Sequence, residues 1–357
     1  MLAFDLHLDL ALSALTLNRD LTLSIADCRA SEAGIEGRNR GHNTVTFPEL
    51  RRGHVGLCIA TVLGRVAPGP GGGSVFRSHE LAYASAMGML AYYRQLERQG
   101  ICRIVTTAPQ LAEAAAAWST PTPPGEVEAP LTFLIGTEGC DCIVSPSQLD
   151  HWWDAGLRSI SLVHFNRSQY AGGTGSDTGL TDLGRDLLRA MDERGAILDV
   201  THQSDPTFWE SLSLFKGPLF ASHQNARALV PGPRQFTDDQ LKALVERDAV
   251  VGHALDAWQL YPDYVRGQTP KSAITLDHVV RQIDHLAQLA GTARHSAIGS
   301  DMDGLFGYEQ TPQEVDTIAD LQKLPPLLAA RGYTPADITG IMHGNALRFF
   351  TTHLPPS

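Results

Sequence analysis

Seven side chains able to bind a metal or move a proton stand at the carboxyl ends of short apolar runs. The first run, Ala3–His7, ends in His7-Leu8-Asp9, an alternating pair whose side chains point the same way from an extended backbone. Glu138 follows the run Leu131–Gly136, His164 ends Ser159–His164, His202 follows Ala196–Thr201 and His223 follows Leu219–Ser222. Asp301 follows Ser296–Gly299, within Gly299-Ser300-Asp301-Met302-Asp303-Gly304. Taken singly, each has an ordinary structural explanation, since 14 histidines guarantee coincidences. The recurrence at one run end after another does not, because ionisable groups at buried positions are costly unless paired or coordinated.

Imidazoles and carboxylates without thiolates suit zinc, with manganese, cobalt and iron as competitors, and argue against a structural zinc knot. Three His and two carboxylates exceed what one four-coordinate catalytic zinc needs while keeping a water site open. Two ions sharing a bridging carboxylate would use them all. A bridging water or hydroxide there has a depressed pKa and becomes a nucleophile near neutral pH. Asp301, beside it, is positioned to orient it, take its proton and pass that proton to a leaving amine.

These groups need a scaffold that gathers strand ends. Eight short runs, the six above together with Val55–Val62 and Ala249–His253, alternate with helical patterns at Ser78–Gln99, Thr181–Arg194, Thr237–Arg247, Leu276–Ala290 and Pro312–Ala330. Near-continuous apolar strands suit a parallel sheet covered on both faces. The pattern predicts an α/β fold, a (β/α)8 TIM barrel, with a doubly wound open sheet as the alternative. Residues 10–54 form an N-terminal insertion after strand one. Residues 65–77, 118–130, 165–180 and 254–274 are long excursions, most of them walls on the catalytic face. Nothing demands a boundary, so residues 1–357 read as a single metal-dependent hydrolase domain.

Composition closes off other classes. With 43% hydrophobic and 19% charged residues the chain is not disordered, and a net charge of −11 leaves no basic footprint for nucleic acid. No apolar run approaches the roughly 18 residues of a membrane span, and no signal peptide is seen, so a cytoplasmic protein is expected. Five scattered cysteines do not make a disulfide framework. Cys140 and Cys142 read as structural thiols, and Gly69–Gly73 as a flexible lid rather than a phosphate loop. Ser222 and Ser300 lack a nucleophile-elbow context. His253 and Asp303 read as structural or supporting groups.

The chain resembles the membrane (renal-type) dipeptidase family, peptidase family M19, zinc hydrolases of the amidohydrolase superfamily. The resemblance rests on Asp5-Leu6-His7-Leu8-Asp9, Thr137-Glu138-Gly139, Val163-His164-Phe165-Asn166, Asp199-Val200-Thr201-His202-Gln203-Ser204, Ser222-His223-Gln224-Asn225-Ala226-Arg227, Pro233-Arg234, the Asp301 motif and Gly344-Asn345-Ala346-Leu347-Arg348. It implies two Zn2+ ions. His7, Asp9 and Glu138 hold one, and Glu138 bridges to a second held by His202 and His223. It further implies that His164 stabilises the oxyanion, that Asp301 moves the proton, and that Arg234 grips the terminal carboxylate of a small peptide. Arg227 either binds substrate or buttresses the site.

The family hydrolyses dipeptides, tolerating or preferring a D-residue at the C-terminal position, and some members open β-lactams. A zinc-dependent dipeptidase acting on L-Xaa-D-Xaa is therefore expected. The alternative is the same machinery on another amide or ester, such as an N-acyl amino acid. A non-catalytic barrel is disfavoured because Asp301 and all five ligands remain. A homodimer, as in relatives, would draw on His343–Phe350. The chain departs from the family at Leu8 and Ala11, where Asn and Pro are usual, and in the stretch Gly252–Trp258, which lacks a substrate-binding Tyr.

Overall fold

Apolar residues on both faces drive the short runs into a sheet that is covered inside and out. In the computed structural model, which describes all residues except 38, 68–73 and 121–127, they form β1 (Ala3–Leu8), β2 (Val55–Val62), β3 (Leu131–Thr137), β4 (Leu157–Ser161), β5 (Ile197–Asp199), β6 (Leu219–Phe220), β7 (Val251–His253) and β8 (Ser296–Ile298). Every pairing among them is parallel, neighbours in sequence are neighbours in the sheet, and β8 returns to β1 through Asp5 and Ile298. A single bridge between Ala221 and Val251 joins the β6 side to β7, with Gly252 N–H donating to the Ala221 carbonyl at 2.8 Å. The result is the expected barrel, all but closed, with helices between its strands.

Three boundaries differ from the sequence pattern. The fourth strand starts at Leu157 and stops at Ser161, so His164 stands in the segment that follows it. A short strand, Cys102–Ile104, pairs with Leu131–Phe133 and occupies the part of β3 that β4 does not reach. The stretch 312–330 is not one helix. A 3-10 turn, Ile318–Lys323, precedes an α-helix that begins at Leu324. Pro325 and Pro326 cause the break, since proline has no N–H and fits only the first helical turn. Elsewhere the helix starts follow their caps: Ser78, Thr181 and Thr237 each accept a backbone N–H from three residues on. No described helix is long and apolar enough to cross a membrane.

The insertion after β1 is helical, with Leu10–Leu17, Ile25–Ser31 and Phe47–Arg52. Charge, more than apolar packing, holds its middle together. Arg19 forks onto Glu32 at 2.9 and 3.1 Å, and Glu32 also accepts from Arg40 at 3.0 Å and from Gly41 N–H at 2.6 Å. The buried Asp303 carboxylate ties this insertion to the loop after β8, accepting from Thr44 N–H and Oγ1 at 2.8 Å each and from Val45 N–H at 3.0 Å. Asp303 is therefore an anchor and not a metal ligand. Asp303→Ala leaves three donors without their acceptor and removes one of the two carboxylates facing Arg19. The expected cost is about 3 kcal/mol, a fall in Tm of about 5 °C in thermal unfolding.

At the C-terminus, Phe349 and Phe350 of the helix Asn345–His353 are fully buried, Phe350 packing tilted against Phe4 at 5.7 Å and edge-to-face on Phe220 at 5.2 Å between ring centres. These rings are spent on the chain's own core, and the segment offers no apolar face to a second copy through them. Of the loops read as walls, Gly69–Gly73 and most of the 118–130 connector lie outside the described residues.

Candidate functional site

The barrel brings all seven strand-end groups to one place. Glu138 sits one residue past β3, and Gly139 behind it takes φ +76°, a turn that an L side chain resists. Glu138 Oε1 lies 3.2 Å from His202 Nε2, 3.4 Å from His223 Nε2, 3.5 Å from His164 Nε2 and 3.6 Å from His7 Nε2. Asp9 and Asp301 approach His7 Nε2 at 3.7 and 3.9 Å. Two ligand clusters thus share Glu138, His7 and His223 on one side and His164 and His202 on the other, and a third joins His7, Asp9 and Asp301.

The backbone is bent to achieve this. His202 and Asp301 adopt φ +68° and +59°, a left-handed conformation that costs free energy and gathers at functional positions. Asp5 stitches β1 to the loop after β8, its Oδ1 accepting from His7 N–H at 3.1 Å and Ser300 N–H at 2.9 Å. Asp199 does the same between β5 and β6, accepting from Thr201 and Ser222 N–H at 3.0 Å each. Thr61 Oγ1 holds Asp9. The 165–180 excursion folds back over the site, where Gly173 is obligatory because a Cβ there would meet the His164 carbonyl at 2.2 Å.

Electrostatics in so buried a cluster are severe. Burial lowers His7, but the Glu138, Asp9 and Asp301 carboxylates overcome it and push His7 up to about 10. Burial, aided by Asp9, pushes Glu138 up to about 8, and burial drives Asp301 well above the carboxylate range. His164 is held down at about 3 by burial and then by Arg65, and burial keeps His202 and His223 neutral.

The residues fit a pair of divalent cations. His7 Nε2 is buried and has no hydrogen-bond partner. The Ser222 hydroxyl donates to Thr201 Oγ1, leaving its oxygen to accept His223 Nδ1–H at 2.9 Å; Thr174 donates to the His202 carbonyl and accepts His202 Nδ1–H at 3.0 Å. With each Nδ1 donating to its hydroxyl, the two Nε2 atoms would be left as lone pairs only 3.1 Å apart. Facing lone pairs repel unless a cation lies between them and the shared carboxylate. Imidazole and carboxylate donors with outer hydroxyl partners are the usual environment of zinc and its neighbours.

A cavity of about 460 Å³ opens onto this cluster, lined by Asp9, Glu138, His164, His202 and Asp301 and by Arg234. Arg234 is 2% exposed, donating through Nη1 to Gln224 Oε1 and through Nη2 to the His223 carbonyl at 2.6 Å each, while its buried Nε has no partner. Arg227 lies apart from the cavity lining. Its fork is closed on Asp205 at 2.8 and 2.7 Å and its Nε on the Gln235 carbonyl, so it braces the loop. His253 reaches Ser296 Oγ at 3.3 Å and also stays out of the lining. Cys140 and Cys142 are fully buried, with burial pushing the Cys142 thiol up to about 12, and neither joins a ligand cluster among the described residues.

The sequence pattern did not single out Arg65, Asp256, Gln259 or Gln310, all of which line the cavity. Lone polar residues in long loops carry no spacing signal. Only the stretch around Asp256, which departs from the family, drew notice.

Comparison with known proteins agrees with this geometry. The profile of the membrane dipeptidases (peptidase family M19) matches residues 1–353. An uncharacterised dipeptidase of Schizosaccharomyces pombe is 31% identical over 227 residues, 62% of this chain and 53% of that protein. The dipeptidase aclJ of Aspergillus oryzae is 31% identical over 223 residues, covering 61% and 50%. The chain thus matches about half the length of these relatives. A metallopeptidase of Rhodobacter sphaeroides, solved with a phosphinate mimic of the dipeptide L-Ala-D-Ala, shares the fold with a TM-score of 0.79 at 22% identity, covering 99% of each chain. With the family profile matching residues 1–353, the chain belongs to the membrane dipeptidase family, peptidase family M19.

Proposed function

We propose that the protein is a binuclear zinc dipeptidase hydrolysing short peptides of the L-Xaa-D-Xaa type. The observation that carries this reading is Glu138 Oε1 surrounded by four imidazole Nε2 atoms at 3.2 to 3.6 Å, with Asp9 and Asp301 close by. His7, Asp9 and Glu138 would hold one ion, and Glu138, His202 and His223 the other. When bound, such a pair polarises an amide carbonyl and acidifies the attacking water.

The chain's own groups do the rest. Asp301 accepts the proton as the water oxygen bonds to the carbonyl carbon, then returns it to the amide nitrogen as the C–N bond breaks. His164, neutral and buried, donates a hydrogen bond to the carbonyl oxygen as negative charge gathers on it. Arg234 receives the terminal carboxylate through the N–H groups that Gln224 and the His223 carbonyl do not use. The L-Ala-D-Ala mimic held by the Rhodobacter sphaeroides metallopeptidase supports a dipeptide with a D-configured second residue.

The test is a panel of dipeptides offered to zinc-loaded protein and to protein stripped by chelation. Turnover that disappears with the metal and returns on reloading is expected, and no turnover of any dipeptide by protein with two bound ions would overturn the reading. Arg234→Ala should lower kcat/KM for free-carboxylate dipeptides about a hundredfold, mostly through KM, as expected for the loss of a buried charge-assisted pair. An equal fall on C-terminally amidated peptides would instead mean that Arg234 only braces Gln224 and His223. Hydrolysis of N-acyl amino acids without hydrolysis of dipeptides would favour the alternative amidohydrolase.

A further inference from the structure

The loops after β7 and β8 bring a second set of polar groups into the cavity, separate from the cluster around Glu138. Asp256, 5% exposed, precedes the short helix Ala257–Leu260, and its Oδ1 accepts Trp258 N–H at 3.4 Å and Gln310 Nε2–H at 2.5 Å. A carboxylate only accepts, so the Gln310 amide is oriented by its nitrogen and its Oε1 is left over. That oxygen is buried without a partner, and so is Gln259 Oε1. Gln259, Gln310 and Asp256 all line the cavity. Buried acceptors left unmatched are expensive, and their concentration at one wall marks a place built for a donor.

The charge balance points the same way. No Lys or Arg lies within salt-bridge distance of Asp256 among the described residues. The nearby Arg266 is occupied by Glu309 and Asn39 Oδ1 at 3.0 Å each. Of the two charged groups on this wall, Arg266 is paired with Glu309, whereas Asp256 has no direct ion pair among the described residues. Burial pushes the Asp256 carboxyl up to about 6, against the hydrogen bonds from Gln310 and Trp258 and the more distant charge of Arg266.

This wall is fastened to the loop that carries Arg234. Gln235 Nε2 donates to the Gln259 carbonyl at 2.9 Å, and Asn225 Nδ2 donates to the Ala254 and Gln259 carbonyls at 3.1 and 3.3 Å. A residue whose carboxylate sits on Arg234 therefore has Asp256 as the neighbouring wall for its side chain. We propose that Asp256, Gln310 and Gln259 form the subsite for the side chain of the substrate's C-terminal residue and select a cationic, hydrogen-donating one, such as that of lysine or arginine. This inference rests on the dipeptidase reading and names its substrate class.

The experiment measures kcat/KM of the zinc-loaded protein for L-Ala-D-Lys, L-Ala-D-Arg, L-Ala-D-Ala, L-Ala-D-Gln and L-Ala-D-Glu. The basic substrates are expected to exceed L-Ala-D-Ala by about tenfold or more, and L-Ala-D-Glu to be the poorest. Asp256→Asn keeps a good helix cap and should erase the lysine-to-alanine ratio, largely through KM. Gln310→Leu should reduce it. The readout is the ratio between substrates within one variant, which a general loss of folding or chemistry leaves unchanged. Dipeptide turnover with a flat profile, a preference for D-Gln or D-Glu over D-Lys, or an unaltered ratio in Asp256→Asn overturns this inference alone. Failure to cleave any dipeptide overturns it together with the dipeptidase reading.

Discussion

Glu138→Gln is expected to leave the protein with at most one tightly held divalent ion and to lower kcat/KM for its best dipeptide by about a thousandfold or more. The substitution preserves shape and removes only charge and basicity. One oxygen, Oε1, stands within 3.6 Å of four imidazole nitrogens, so no other side chain can take over the joint between the two halves of the cluster. An amide oxygen is a poor ligand for a second cation once the first would be bound, and the two cations would then lose the anion they share. Metal analysis of the purified variant alongside steady-state kinetics checks the result. Two equivalents of metal with activity within tenfold of the parent would mean that Glu138 is not the bridge. The metal-free fold should survive, because Glu138 is buried with a carboxyl already displaced upward to about 8, and a neutral amide costs less there than an ion.

The barrel and its cluster of imidazoles and carboxylates are legible in the sequence for a single reason: in a parallel barrel every carboxyl strand end faces one rim, so a recurring His or carboxylate at run ends translates directly into a cluster. What the sequence concealed depends on contacts between loops. His202 and Asp301 are strained into φ +68° and +59° by tertiary packing that no local pattern encodes. Ser222 lacks the context of a nucleophile, as the sequence indicates, but no local pattern tells that its hydroxyl contacts His223 Nδ1. Thr174, the matching partner of His202, lies in the 165–180 excursion 28 residues away. Asp256 and Gln310 stand 54 positions apart on two different loops and meet at 2.5 Å. The Asp303 anchor is of the same kind, joining residues 259 positions apart. The misread helix at 312–330 has a local cause: its apolar spacing is helical, but the Pro325-Pro326 pair overrides it.

Asp301→Asn separates proton transfer from metal holding, and its expected signature is a fall in kcat of about a hundred- to ten-thousandfold with both ions retained. The carboxylate differs from its neighbours in position. The side chains of Asp9 and Glu138 are 3% and 6% exposed, whereas that of Asp301 is 12% exposed, making it the carboxylate of the cluster most open to whatever occupies the cavity. Its conformation is held from below, since Gly304 N–H donates to the Asp301 carbonyl at 2.9 Å and a Cβ on Gly304 would meet Asp301 Oδ1 at 2.0 Å. Asn tolerates the left-handed backbone that Asp301 adopts, so the variant should fold and present an isosteric group that cannot shuttle a proton. KM should change little, because an amide still occupies the same space against the substrate, and the loss should therefore appear in kcat. A variant that loses one metal equivalent in parallel with activity would instead assign Asp301 to the ligand set, and one that keeps both metals and full activity would move the proton-transfer step to another group.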